Sequence, residues 1–297
     1  MSQSFLTDRA RLERIAEAAV PGEGWSVVEI GPGTGALTEP LARRAARLLA
    51  LEADGALAVA TAASFADRPH VRIEHADALA FDFGAAAAGG AGTAVSEVGA
   101  ASAAPPLPGA ASGGVGAGSG AWVLTRPLAV VGNIPYHLTG LILRAALDAD
   151  PRPDRVVFLV QREVADRLIA PPGGREYGAL TVLVGVSWSV RRLFKVPAGA
   201  FHPPPKVDSA VVLFEPLEPP ACPPALRPAF RRIVMAAFSH RRQTLRNALR
   251  HGGLSEAELA AVSAAPGVRF DRRPEEHPTA AFVEMARAIG GLVAGSS

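Results

Sequence analysis

The sequence predicts an α/β protein: a parallel sheet covered by helices on both faces, followed by a smaller helical domain. Three observations lead there. Short, nearly continuous apolar runs recur between residues 25 and 161 and alternate with helix-compatible stretches, as expected of strands buried on both faces. A proline cluster at 216, 219, 220, 223 and 224 follows the last such run and marks a linker. From 226 onward the apolar spacing is helical, with no alternating strand pattern.

The elements follow in order. Leu12, Ile15, Ala16 and Ala19 recur at helical spacing, so residues 8–19 open the fold as an amphipathic helix. Strands are expected at "WSVVEIG" (25–31), "RLLALEA" (47–53), "VRIEHAD" (71–77), "PLAVVGN" (127–133) and "RVVFLVQ" (155–161). Helices are expected over 35–46, 54–64 and 138–149. A last apolar run, "SAVVLFEP" (209–216), leads into the prolines. Residues 84–121 interrupt the alternation: 14 of the 38 are Ala, 11 Gly, 4 Ser and 3 Pro, and Glu97 is the single charge. So little large apolar surface does not offset the entropy of ordering a chain, and this stretch is expected to be a flexible insertion. The domains are therefore 1–216 and 217–297.

Composition narrows the class. Lys plus Arg exceed Asp plus Glu by 30 to 28, too small an excess to imply a nucleic-acid partner unless the charge clusters locally. One cysteine, Cys222, excludes an internal disulfide framework and a cysteine-rich zinc site, and suits a reducing cytosol. No apolar run approaches the roughly 20 residues that span a bilayer. Asp8, Arg9 and Arg11 stand where a signal peptide needs its apolar region. A soluble, cytoplasmic protein with no membrane partner is expected. The seven histidines show no ligand spacing, so no metal is expected.

The chemistry is carried by strand ends. "VVEIGPGTGALTEPLA" reads as strand, glycine turn and helix start, with Gly31, Gly33 and Gly35 free to turn tightly and to let a ligand approach the backbone. The spacing is GxGxG rather than GxGxxG, and alone it is equally an ordinary tight turn. Glu52 ends the second strand, 19 residues after Gly33, where an acid can accept both ribose hydroxyls. Asp77 ends the third, where a carboxylate can accept from an adenine amino group. Each acid alone could be a solvated strand end; at successive strand ends they describe a nucleoside-binding rim. The fourth strand ends in "NIPYHLT". Asn133 would project its amide oxygen over the cleft, and Pro135 holds the neighbouring backbone carbonyl rigidly. Two fixed acceptors suit an exocyclic amino group, and Tyr136 offers a flat face to a base. A strand, a proline turn and a core tyrosine would explain Pro135 and Tyr136 but leave Asn133 without a task.

"NIPYHLT" resembles the Asn-(Ile/Leu)-Pro-Tyr motif of adenine N6-methyltransferases. "SQSFLTD", "FHPPPKVDSAVV" (201–212) and "FSHRRQTLRNAL" (238–249) are similar to signatures of the ribosomal RNA adenine dimethyltransferases. These resemblances run in order from residue 2 to about 250. They imply a Rossmann-like class I methyltransferase sheet, S-adenosyl-L-methionine as cofactor, and 16S ribosomal RNA in a small-subunit particle as partner, with the chain a monomer. By position, cofactor contacts fall on Ser4, Leu6, Gly31, Glu52, Asp77 and Asn133, with Gly33 beside them. Ser4 departs from the usual Asn, His137 departs from the Asn that usually follows the tyrosine, and the family's basic stretch ahead of Gln3 is not in this sequence.

The three prolines of "FHPPPK" form a stiff extended loop. It would set Phe201 opposite Tyr136 to sandwich a flipped-out base; a core phenylalanine is the alternative. Asn133, Pro135, Tyr136 and Phe201 are thus the expected catalytic group. Lys206 would meet phosphate or simply be solvated. Seven arginines (227, 231, 232, 241, 242, 246, 250) occupy 227–250, and no acid lies between Glu218 and Glu256. Arg242, Arg246 and Arg250 are expected on one helix face, and with Arg241 they are the expected RNA contacts. Other readings are a 23S ribosomal RNA methyltransferase conferring macrolide resistance, a transcription-factor or ribosome-assembly relative acting by binding, and a DNA adenine methyltransferase, for which the C-terminal part is short.

Overall fold

A computed structural model describes residues 4–89, 122–240 and 242–294. Most of the expected insertion (90–121) and Arg241 lie outside the described residues. The chain opens with a two-residue strand, β1 (Phe5–Leu6), and helix α1 (Arg9–Ala19), which buries Leu12, Ile15, Ala16 and Ala19 as its spacing requires. The chain forms two compact units, one made of 12–133 with 137–154, the other of 1–11, 134–136 and 155–297.

The first unit contains β2 (Ser26–Ile30), α2 (Thr38–Ala42), β3 (Arg47–Glu52), α3 (Gly55–Ser64), β4 (Val71–His75), α4 (Phe83–Ala87), β5 (Leu128–Asn133) and α5 (Thr139–Leu147). All four strands are parallel, and β2 is buried along its whole length. β2 lies between β3 and β5, so the chain leaves it to one side and later returns on the other. At such a reversal the carboxyl ends of the strands open a crevice for a ligand. Register aligns those ends: Ile30 is opposite Leu51 and Gly132, which sets Gly31, Glu52 and Asn133 level.

The second unit contains β6 (Arg155–Gln161), α6 (Arg162–Leu168), α7 (Ala179–Gly185), β7 (Trp188–Val196), β8 (Phe201–His202), β9 (Ser209–Pro216), α8 (Arg227–Phe238), α9 (Leu245–His251), α10 (Glu256–Ser263) and α11 (Thr279–Ala294). β9 pairs antiparallel with both β6 and β7, while β1 pairs antiparallel with β8. The strands of the first unit follow the order β4-β3-β2-β5 and those of the second the order β6-β9-β7.

Several expectations change. The sheet is mixed rather than wholly parallel, because β9 returns beside β6 and β7 supplies a further strand. β7 is hidden in the sequence by Arg191, Arg192 and Lys195 within its apolar run, and it is bulged between Arg192 and Phe194. The helix expected over 35–46 shortens to α2, whose Pro40 is tolerated because it lies in the first turn. The insertion does not begin at residue 84. Asp82 caps α4 by accepting from the Ala85 N–H, and Phe83, Gly84, Ala86 and Ala87 are buried. Gly84 packs so closely that an added Cβ would lie 2.6 Å from the Asp150 carbonyl oxygen. α7 contributes Val182 to the same core as Cys222, Phe230, Phe282 and Met285 of the C-terminal region.

Candidate active site

The glycine turn after β2 is held by side chains from two other elements. Gly31, Gly33 and Gly35 all have positive φ, at 67°, 56° and 84°, a region that only glycine enters without strain. Around Gly31 nothing would meet an added Cβ within 4 Å, so the backbone there is open to a ligand. The Gly33 N–H donates to Glu52 Oε2 at 2.9 Å, and the Gly33 carbonyl accepts from Thr61 Oγ1 at 2.6 Å. Glu52 also accepts from the Asp54 N–H at 3.0 Å through Oε1. With only 3 % of its surface exposed, Glu52 has each oxygen anchored once and keeps further lone pairs for other donors.

Asp77 is exposed two residues beyond β4 and accepts from the Leu79 N–H at 2.9 Å through Oδ1. Such local bonding fixes the carboxylate's direction. Asn133, half-buried, is the last residue of β5. The first unit thus brings Gly31, Gly33, Glu52 and Asn133 to one strand-end edge, with Asp77 past the end of the next strand.

Residues 134–136, directly after Asn133, belong to the second unit. The Ile134 N–H donates to the Leu159 carbonyl at 3.1 Å, which ties the segment to β6. Pro135 and Tyr136 are half-buried, and the Tyr136 hydroxyl lies 3.0 Å from Ser209 Oγ. Ser209, 1 % exposed, begins β9. The ring therefore has one end pinned. Leu6 is opposite Phe201 in the β1–β8 pair, and the Thr7 N–H and hydroxyl both bond the Ala200 carbonyl. Leu6 and Phe201 are 4 % and 5 % exposed. Phe201 is thus packed as a core ring, not displayed as an open stacking face, and the Leu6 side chain is buried as well. Ser4 is half-buried, and His137 is exposed.

Nearly the full length of the chain fits a known profile. The family described as "Ribosomal RNA adenine dimethylase" matches residues 1–289. The chain belongs to this ribosomal RNA adenine dimethylase family. A protein named ribosomal RNA small subunit methyltransferase A from Anaeromyxobacter dehalogenans is 43 % identical over 97 % of this chain and 92 % of its own. Its namesake from Geobacter metallireducens is 37 % identical, covering 98 % and 95 %. Among solved structures, the 23S rRNA methyltransferase ErmE aligns with a TM-score of 0.64 at 25 % identity, covering 96 % of this chain and 99 % of that one. A dimethyladenosine transferase from Plasmodium falciparum aligns with a TM-score of 0.70 at 18 % identity, covering 97 % and 98 %.

As a class I methyltransferase of the dimethylase family, the chain uses S-adenosyl-L-methionine. The residues present fit it. The turn leaves open space at Gly31, an anchored carboxylate stands behind Gly33, and buried polar side chains, Glu29 and Thr38, flank the turn in the chain. Glu29, Thr38, Thr61 and Ser209 were not among the residues expected to act. For Glu29 the signal was a lone acid within an apolar strand; for Ser209, its place in "KVDSAVV". Thr61 gave none, since it reaches the glycine turn from an alanine-rich helix, 28 residues from Gly33.

The arginine-rich region is less uniform in space than in sequence. α9 starts at Leu245 with Thr244 before it, so Arg242 precedes the helix and only Arg246 and Arg250 ride on it. Acids of α10 reach back: Arg232 makes a two-pronged contact with Glu258 at 2.5 and 3.1 Å, and Arg250 bonds Glu256 at 3.1 Å. Arg242, Arg246 and Lys206 are exposed.

Proposed function

We propose that this chain dimethylates the N6 amino groups of two adjacent adenines near the 3′ end of 16S ribosomal RNA within a small-subunit particle. The observation that carries the reading is the junction at Asn133: the cofactor-side strand end runs directly into Pro135 and a tyrosine whose hydroxyl is pinned on Ser209. Relatives at 43 % and 37 % identity are named for the small subunit, against 25 % for the 23S enzyme, which favours 16S over 23S RNA.

S-adenosylmethionine, when bound, supplies an electrophilic methyl group on a positively charged sulfur. The chain's own residues do the rest by positioning. Glu52 receives the cofactor's ribose hydroxyls with its remaining lone pairs, Asp77 its adenine amino group, and Gly31, Gly33, Ser4 and the Leu6 main chain border it. Adenine's amino nitrogen is a weak nucleophile because its lone pair is delocalised into the ring. The Asn133 amide oxygen and the carbonyl before Pro135 accept hydrogen bonds from its two N–H groups and favour a pyramidal nitrogen. That gain comes from orientation and electrostatics. Tyr136 stacks on the flipped base, while Phe201, buried in the β1–β8 pair, leaves that face to the tyrosine. No side chain is asked to remove a proton before transfer. Residues 1–216 form the methylating part and 217–297 the RNA-binding part, and Lys206, Arg241, Arg242, Arg246 and Arg250 are the phosphate contacts. The protein works as a cytoplasmic monomer without a metal.

The test is mass spectrometry of 16S RNA from unmethylated small-subunit particles incubated with purified protein and S-adenosylmethionine. Two adjacent dimethyladenosines are expected near the 3′ end. Asn133→Ala should lower the single-turnover rate by roughly a hundredfold with RNA affinity nearly unchanged. Label in 23S RNA instead, or undiminished rates for Asn133→Ala, would overturn the assignment.

A further inference from the structure

The junction of α8 and α9 holds two histidines whose hydrogen bonds fix where their ring hydrogens sit. His240 and His251 are exposed, with ring centroids 5.4 Å apart. Ser239 Oγ donates to the Ala236 carbonyl at 2.7 Å, which uses the hydroxyl's one hydrogen. Its contact with His240 Nδ1 at 2.9 Å is therefore donated by the ring. His251 Nδ1 lies 2.7 Å from Gln243 Oε1, an amide oxygen that can only accept. Both neutral rings thus carry their hydrogen on Nδ1 and present a lone pair at Nε2. Neither Nε2 has a partner among the described residues. No third His, Cys, Asp or Glu joins them in a metal site among those residues.

The charged groups around the pair are donors or are already engaged. α8 carries Arg227, Arg231 and Arg232, α9 carries Arg246 and Arg250, and neither helix has an acid. Arg242 lies exposed between the two histidines in the chain. The acids on the segments packed against these helices all meet arginines. Glu256 meets Arg250, Glu258 meets Arg232, and Asp271 meets Arg269. Glu275 meets Arg273, Glu276 meets Arg272, and Glu284 meets Arg287. No unengaged carboxylate competes with the two imidazoles as an acceptor here.

We propose that His240 and His251 form an acceptor pair that receives ribose 2′-hydroxyls, and that the pair makes this surface prefer RNA to DNA. The inference rests on the arginine-bearing surface of α8 and α9 being where RNA docks. Arginine has only donors and meets phosphate, which RNA and DNA share. A neutral imidazole Nε2 has the opposite requirement. Phosphate oxygens are acceptors and offer it nothing, so it needs an O–H or N–H. Along a nucleic-acid backbone the donor of that kind is the 2′-hydroxyl, present in RNA alone. It stands next to the phosphates that Arg242 and Arg246 hold. Ser239 and Gln243 keep each Nδ1–H occupied, so the rings face the RNA as acceptors. Base amino groups could also donate to Nε2, and the probes below separate the two sources.

Fluorescence anisotropy with the full chain at about pH 8 compares an RNA hairpin with its 2′-fluoro counterpart of the same sequence. The fluoro form keeps the A-form duplex and every base donor but has no 2′ O–H. Wild type should bind the RNA about tenfold more tightly, the effect of two hydrogen bonds. The double variant His240→Phe, His251→Phe keeps two rings without their lone pairs and should bind both probes alike. Near pH 5 an imidazole gains a proton at Nε2 and turns from acceptor to donor, so wild type should keep its affinity for both probes and lose the preference. Equal wild-type affinities at pH 8 overturn the proposal. So does a preference that persists near pH 5, which decides even if the double variant fails to fold. A preference retained by the folded double variant overturns it as well. Reversing Arg242 and Arg246 to Glu separates the two readings: undiminished affinity for both probes would move the RNA surface elsewhere. Affinity that depends on those arginines without preference between the probes would sink only the role of the histidines.

Discussion

Replacing Glu52 by alanine should weaken the protein and its cofactor binding together, because the same carboxylate serves both. Its oxygens accept the Gly33 N–H at 2.9 Å and the Asp54 N–H at 3.0 Å in a site only 3 % exposed. A hydrogen bond to a charged group contributes about 1.5–3 kcal/mol, and a buried donor left without a partner costs about 1–3. The two losses overlap, and relaxation of the turn recovers part of them, so a net loss of about 2–4 kcal/mol is expected. That corresponds to a drop in Tm of roughly 5–10 °C for a chain of this size. Glu52→Gln keeps one acceptor oxygen but turns an NH2 group toward the other donor, so it should fall between alanine and wild type. The ribose contact adds its own loss, and the dissociation constant for S-adenosylmethionine should rise at least tenfold for alanine. Thermal melting without cofactor measures the first effect and calorimetry the second. An unchanged Tm would refute the claim that Glu52 locks the glycine turn. A lower Tm with unchanged affinity would confine it to that structural task.

Tyr136→Ala should severely reduce single-turnover methylation, since base stacking is worth about 1–3 kcal/mol; Tyr136→Phe keeps the ring but strands buried Ser209, so a smaller loss is expected, and equal losses would shift the weight to the hydroxyl. Reversing Arg242 and Arg246 to Glu should weaken RNA binding and flatten its dependence on salt while cofactor affinity holds. Arg250→Glu should do less, because Glu256 already engages that side chain; an unaltered salt slope in the double variant places the RNA surface elsewhere. The Arg232 contact and the Ser255 N–H hold Glu258 down to about 2, so the folded acid has a lower pKa than the unfolded one. Its stabilisation is present above the ordinary carboxylate range and is lost as pH falls from about 4.5 toward 2. With Arg232 46 % exposed, about 1 kcal/mol is expected. The Tm gap between wild type and Arg232→Ala should close over that acid range, and a constant gap would show that the pair is not what titrates.

Much of the fold is legible in local patterning. β2, β3 and β5 appear as apolar runs because burial on both faces demands them, and β2, β3, β4, β5 and β6 lie within the segments so marked. α1 follows from four apolar positions, and the glycine turn from residues able to adopt positive φ. Glu52, Asp77 and Asn133 stand out because an acid or amide at the end of an apolar run has few tasks besides capping or ligand binding. The features that the sequence could not determine are set by contacts distant along the chain. β7 is masked by its charged residues, since the solvent-facing side of a strand tolerates arginine and lysine. The early part of the apparent insertion is ordered by one aspartate cap and by the fit of Gly84 on Asp150, neither of which composition records. Two of the seven arginines, Arg232 and Arg250, meet Glu258 and Glu256 because α10 folds back on α8 and α9. Phe201 is buried because β8 pairs with the chain's first strand. Above all, the partners of the glycine turn come from β3 and α3, and the tyrosine's anchor comes from β9. Local sequence sets what a segment can form; only the tertiary structure decides which hydrogen bonds it completes and which charges it leaves unanswered.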